Sequence, residues 1–135
     1  MESAKEFRIS LTVDDFEKTV AFYRDAVGLK LERDWSTAQG RCVLLSIEKA
    51  TLEIMDDSQA ILVDSVEVGK RVSGQIRFAF HFANMEQAIT LAEDKGAQSL
   101  HAPVETPWKD VNARLFGPDG MQMTFFCSAT ELNQR

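Results

Sequence analysis

Apolar and polar residues alternate one for one over 6–13 (EFRISLTV). Phe7, Ile9, Leu11 and Val13 fall on one side, Arg8, Ser10 and Thr12 on the other. That period of two predicts a half-buried strand. Asp14-Asp15 then supplies a helix N-cap, with carboxylates favoured at the positive end of the helix dipole. From there the apolar spacing lengthens to that of a helix, through Phe16, Val20, Tyr23 and Val27, until Gly28 stands where a C-cap belongs. Segments 29–35, 41–48 and 51–55 predict three further strands with turn-like breaks between them. The first half therefore reads β-α-β-β-β.

The second half repeats the pattern. In 75–82 (QIRFAFHF), Ile76, Phe78, Phe80 and Phe82 share one side, Arg77, Ala79 and His81 the other. Asn84 is a second N-cap, and Met85, Ala88, Ile89 and Leu91 form an apolar stripe ending at Lys95-Gly96. Strands are predicted over 98–105, 111–116 and 121–127, with the turn Gly117-Pro118-Asp119-Gly120 separating the last two. An offset of 69 residues lays Arg8 on Arg77, Val13 on Phe82, Asp15 on Asn84 and Glu17 on Glu86, and a little later Trp35 answers Trp108. Identities are few, so the duplication rests on element order and face pattern. Four segments follow: a first module over 1–62, a connector over 63–74, a second module over 75–128 and a C-terminal tail over 129–135. The stretch 56–74 mixes Val, Ile and Leu with charges. It is long for a passive loop, and we read local helix there, packed over the other module or a partner subunit.

Composition narrows the class. The 135 residues carry 15 Lys+Arg against 21 Asp+Glu, a net charge of −6, with 44% apolar and 27% charged residues. Such a chain buries a core without metal or disulfides and is neither disordered nor fibrous. Its acidity argues against a nucleic-acid partner. No apolar run approaches the roughly 20 residues of a membrane helix, so no membrane partner is expected. The N-terminus MESAKEF lacks a signal-peptide pattern, and Cys42 and Cys127 sit singly in apolar runs. Two free thiols in a cytoplasmic protein are expected. The glycines are scattered, leaving no phosphate loop or dinucleotide fingerprint.

Two segments carry a resemblance: V-D-D-F-E-K-T-V-A-F-Y-R-D-A-V-G-L and P-W-K-D-V-N-A-R-L-F-G-P-D-G-M-Q-M-T-F-F. Over 6–127 the chain resembles the vicinal-oxygen-chelate superfamily, which includes glyoxalase I, bleomycin-resistance proteins, fosfomycin-resistance enzymes and extradiol dioxygenases. The second segment leans toward the antibiotic-resistance branch. The resemblance implies an α+β fold of two tandem βαβββ modules with curled mixed sheets. Their concave faces form a cavity, often at a homodimer interface. In the catalytic branches a divalent cation is held by residues of the first and last strand of each module. Those positions fall here on Arg8, Glu53, Arg77 and Thr124. Arginine has no lone pair to offer, so no metal and no other cofactor is expected.

Each candidate side chain has two readings. Arg8 and Arg77 clamp a carboxylate, phosphate or sulfonate, or else Glu53 pairs with them and fills the vacated metal position; the two can coexist. Two positive charges against one leave room for an anionic ligand. Trp35 and Trp108 stack on a planar ligand or pack the structure. His81 is an acid/base group or pocket wall, or a structural histidine; His101 is surface. Arg114 and Asn112 share a strand face and point into the cavity or pair on the sheet. Ser10, beside Arg8, and Phe126, beside Thr124, complete the ligand-binding set, and no catalytic residue is assigned. The function expected is metal-free binding of a small aromatic or charged compound, an antibiotic among the candidates, in the cleft of a homodimer. The alternative is a glyoxalase- or dioxygenase-like lyase or transferase with an atypical active site, and a third class is a scaffold without a ligand.

Overall fold

The computed structural model describes residues 2–26, 29–48, 50–118 and 120–133, with Leu132 and Asn133 described by backbone alone. The expected C-cap at Gly28, the helical Val27 and the turn residue Asp119 lie outside the described residues. In chain order the elements are β1 (Glu6–Thr12), α1 (Phe16–Ala21) continuing into a π-helical turn (Phe22–Ala26), β2 (Lys30–Asp34), β3 (Cys42–Ile47) and β4 (Ala50–Met55). Then come α2 (Asp57–Glu67), β5 (Ile76–His81), α3 (Met85–Asp94), β6 (Gln98–Ser99), β7 (Val104–Glu105), β8 (Asp110–Phe116), β9 (Gln122–Ser128) and α4 (Ala129–Asn133). The fold is α+β, as expected: two βαβββ modules share one mixed sheet, ordered β2-β3-β4-β1-β5-β9-β8-β6, with β7 also on β8.

The predicted caps form. Asp15 accepts from the Lys18 N–H and Asn84 from the Gln87 N–H, while Gly96 leaves α3 at φ +106°, a conformation that suits glycine. Within each module the first strand runs parallel to the last, β1 on β4 and β5 on β9. The modules meet edge to edge through antiparallel β1 and β5, where Ile9 lies opposite Phe78. Those two residues are equivalents at the offset of 69, so the pseudo-twofold axis passes through their pair. Arg8, opposite Ala79, and Arg77, opposite Ser10, flank that axis diagonally on one face.

The seam inverts the usual sense of burial. Helix α1 covers Val43, Leu45 and Ile54 with Phe16 and Val20, and α3 covers the matching core of Val111, Ala113, Leu115 and Phe125 with Met85. On the apolar side of β1 and β5, Phe80 packs against the α3 core, but the cover is incomplete. Phe7 is left 42% exposed and Ile76 44%, and the Phe7 ring leans on Phe78 and Phe80 at 5.3 and 5.2 Å. On the polar side, by contrast, Ser10 is 3% and Arg77 6% exposed. Alternation gives the two faces of a strand, but what each face packs against decides which is buried.

One expectation needs revision, and two segments gain detail. The single strand predicted over 98–105 is two short pieces, β6 and β7, parted by 100–103, where Pro103 has no N–H for a ladder. The segment 56–74 holds an eleven-residue helix, α2, capped by Asp56 and continuous across position 62. It packs so close to the first module that a Cβ on Gly40 would stand 2.5 Å from the Gln59 nitrogen. The tail opens as α4 through a capping box: Ser128 Oγ accepts from the Glu131 N–H and Glu131 Oε1 from the Ser128 N–H, both at 3.0 Å. Among the described residues no helix is long and apolar enough to cross a membrane.

Candidate functional site

A cavity of about 310 Å³ opens on the concave side of the sheet, lined by both modules and by α2 of the same chain. Of the candidates read from sequence, Arg8, Trp35, Glu53, Arg77, Trp108, Thr124 and Phe126 line it. The strand period brings them there: Arg8 is on β1, Glu53 on β4, Arg77 on β5, and Thr124 and Phe126 are two apart on β9.

The polar floor is a linked set of charges. Ser10 Oγ donates to Glu53 Oε1 at 2.7 Å, and the same oxygen lies 3.7 Å from Arg77 Nη2. Arg8 Nη1 lies 3.8 Å from Glu53 Oε2, and Arg77 Nη1 donates to Thr124 Oγ1 at 2.6 Å. Arg8 is held more tightly elsewhere: its Nε and Nη2 donate to Glu6 Oε2 at 3.1 and 2.9 Å, and Thr51 donates to the same oxygen. Its guanidinium also lies 4.7 Å from the Phe126 ring centre and 5.6 Å from that of Trp35. Glu6 changes the charge count, because the floor carries two carboxylates for two guanidinium groups rather than one. A divalent cation does not fit these donors, since two of the four positions carry fixed positive charge and no coordinating lone pair. Among the described residues no group of three or more His, Cys, Asp and Glu side chains is placed to hold a metal ion.

Trp108 reaches the cavity from the turn between β7 and β8. Pro107 leads into it, and Lys109 takes φ +71°, a left-handed conformation costly for a side-chain-bearing residue. The Thr106 N–H closes the turn on the Asp110 carbonyl at 2.8 Å.

The remaining candidates sit apart from the wall, Asn112 excepted. Ser10 braces Glu53 from beneath. His81 stacks on Phe126, with ring centres 5.2 Å apart, and its Nε2 is 2.7 Å from Glu131 Oε1. Arg114 is 0% exposed and held by α2: Nη1 donates to Asp64 Oδ1 at 2.9 Å and Nη2 to Glu67 Oε1 at 3.0 Å. Asp64 further accepts from the Val72 and Ser73 backbone N–H groups and from Arg71. Burial alone would push the Asp64 carboxyl up, but the Ser73 and Val72 N–H groups and Arg114 together hold it at about 2.

Sequence reading passed over Gln59, Glu67 and Asp110, all of which line the cavity beside Asn112. Asp110 alternates onto the face of β8 that Asn112 and Arg114 share, so period two was the available signal for it. Gln59 and Glu67 belong to α2, whose packing has no local signature. Cys42 also lines the cavity. Its thiol is pushed far up by burial and then by Glu53, which leaves it protonated and unreactive.

The sequence model described as "Glyoxalase/Bleomycin resistance protein/Dioxygenase superfamily" matches residues 7–125. A search of curated proteins yields no match. Among solved structures, the fold is similar to a variant of Streptomyces coelicolor methylmalonyl-CoA epimerase in complex with 2-nitronate-propionyl-CoA, at TM-score 0.68 and 20% identity over 94% of this chain and 96% of that one. It is similar to a hypothetical protein from Bacillus halodurans C-125, at TM-score 0.68 and 18% identity over 93% and 94%. It is also similar to methylmalonyl-CoA epimerase from Mycobacterium tuberculosis, at TM-score 0.68 and 13% identity over 100% and 97%. At these identities the likeness is one of fold.

Proposed function

Because the chain belongs to the glyoxalase/bleomycin resistance protein/dioxygenase superfamily, we propose that it is a metal-free binding protein of the bleomycin-resistance type, acting in the cytoplasm and holding a small aromatic compound in its cavity. One observation carries this reading. The positions that hold a cation in the catalytic relatives form a self-satisfied floor of Arg8, Glu53, Arg77 and Thr124, beneath walls of Trp35, Trp108 and Phe126. The walls offer stacking surface and the floor is charge-paired, an arrangement suited to retaining a planar molecule.

The chain's two tryptophans both line the cavity, so their fluorescence reports occupancy. A panel of phenazines, aromatic acids, aromatic amines and glycopeptides is expected to contain quenchers. Saturation at 100 times Kd adds about 2.7 kcal/mol of stability, seen as a rise in Tm. Trp108→Ala weakens such binding by about 2 kcal/mol, roughly thirtyfold. A panel without quenching or thermal shift ends this reading, as does a stoichiometric metal whose removal abolishes a turnover reaction.

The second reading, an atypical lyase or transferase, is favoured by Asp110. Burial raises its carboxyl from the ordinary value, the direction that suits a proton acceptor in a cleft. Chemical change in a bound compound, followed by mass spectrometry, distinguishes it from sequestration.

The homodimer belongs to the first reading as well. Since one chain lines the cavity, a second copy is not needed to build the site, and the uncovered apolar seam of Phe7, Phe78 and Ile76 is the surface it would bury. Light scattering is expected to give twice the chain mass of 15.2 kDa, and Phe7→Lys the single mass.

A further inference from the structure

The floor of the cavity is neutral, so the charge left over belongs to its wall. Arg8 is matched by Glu6, and Arg77 by Glu53. Asp110, on the wall, is different. Its backbone is tied into the Thr106 turn, but its carboxylate makes no ion pair and no side-chain hydrogen bond among the described residues. The fields of the cations Arg8 and Arg33 reach it, and Glu53 opposes them.

Two residues along the same strand, Asn112 is 8% exposed and its amide has a fixed orientation. Nδ2 donates to Glu67 Oε2 at 2.8 Å, and a carboxylate accepts only from the NH₂ end. Oδ1 is therefore an acceptor, and it is buried without a partner. Gln59, on α2 across the cavity, is 7% exposed, and its Oε1 is unpartnered too. Buried acceptors without donors are uncommon in folded proteins and call for a group that supplies the N–H.

We propose that the cavity selects an aromatic ligand bearing a cationic N–H group, an amine or amidine, received by Asp110 and Asn112 on β8, rather than the oxyanion that the two arginines suggest on sequence grounds. The ring lies against Trp108 and Phe126 while the N–H group faces the acceptors of β8. This rests on the reading of the cavity as an aromatic-ligand site and adds the ligand's charge and hydrogen-bonding sense.

Three probes that share one ring separate the two claims: 1-naphthylmethylamine, 1-naphthylmethanol and 1-naphthoate, titrated calorimetrically into the intact protein. The amine is expected to bind at least tenfold tighter than the carboxylate, with the alcohol between them. Asp110→Asn, which keeps shape and removes charge, is expected to weaken the amine far more than the alcohol and so bring the two within about twofold. In the unmodified protein, raising salt should weaken the amine and not the alcohol, a test that needs no variant. Equal binding of all three, or tighter binding of the naphthoate, overturns the charge assignment and leaves the aromatic site standing. Failure of all three to bind overturns both.

Discussion

Replacing Arg114 with leucine is expected to lower stability by about 3–5 kcal/mol, a large part of what holds a domain of this size together. The guanidinium is fully buried between Asp64 and Glu67, with Gln122 as a third acceptor. Leucine fills much of the volume but leaves Glu67 without its counter-charge and Asp64 with Arg71 alone. Arg114→Lys keeps the charge and loses the fork that serves both acids, so it is expected to cost less, about 1–2 kcal/mol. Urea unfolding followed by circular dichroism measures both. If leucine costs under about 1 kcal/mol, the network is not what anchors α2.

The same network shapes the acid limb of stability. Asp64 is held at about 2 in the fold against an ordinary 3.8. A depressed carboxyl stabilises the folded state above its unfolded pKa, and that contribution is lost as pH falls through the folded one. The gap is worth about 2 kcal/mol, lost between about pH 4 and pH 2. In Arg114→Leu the Val72 and Ser73 N–H groups remain on Asp64, but one of the groups holding it down is gone, so acid unfolding moves to higher pH. Ligand binding should weaken in parallel, because Gln59, Leu62, Val63 and Glu67 reach the cavity from α2.

The double substitution Arg8→His, Arg77→His is expected to give the cavity an affinity for divalent metal that the unmodified chain lacks. Two imidazoles then flank Glu53 across the pseudo-twofold axis, a three-donor set of the kind that binds zinc, nickel or cobalt. Replacing two guanidinium groups also removes two positive charges from the site and releases Glu6 and Thr124. Calorimetry with Co²⁺, Ni²⁺ and Zn²⁺ measures the gain. At 100 times Kd the metal adds about 2.7 kcal/mol, several degrees in Tm. No uptake would mean that Glu53, pinned by Ser10 at 2.7 Å, is not free to ligate. Neither single substitution should suffice, since one histidine and one glutamate leave too few donors.

Much of the architecture was legible because it is written in local periods. Alternation in 6–13 and 75–82, the caps at Asp15 and Asn84, and the shared offset yield two βαβββ modules without any coordinates. The candidate site was legible in part for the same reason. Arg8, Glu53, Arg77 and Thr124 are side chains of regular strands, so period two sends them to one face. His81 and Ser10 share that face yet stop short of the cavity wall, because alternation says nothing about depth along a curled sheet.

What local pattern could not supply is whatever depends on contacts far apart in sequence. Glu6 meets Arg8 within β1 but is fixed by Thr51 of β4, and it turns a positive floor into a neutral one. Arg114 faces the concave side as its strand position implies, yet α2 claims it through Asp64 and Glu67. Asp110 and Asn112 become notable only when one sees which neighbours each has and which it lacks. The sequence by itself determined the elements, their caps and the repeat, since these follow from residue type and short-range geometry, and the resemblance it carries put arginines at two of the four ligand positions. Only the tertiary structure decided which charges are already matched and which still await a partner, because pairing at 3–4 Å depends on how distant strands and helices are brought together.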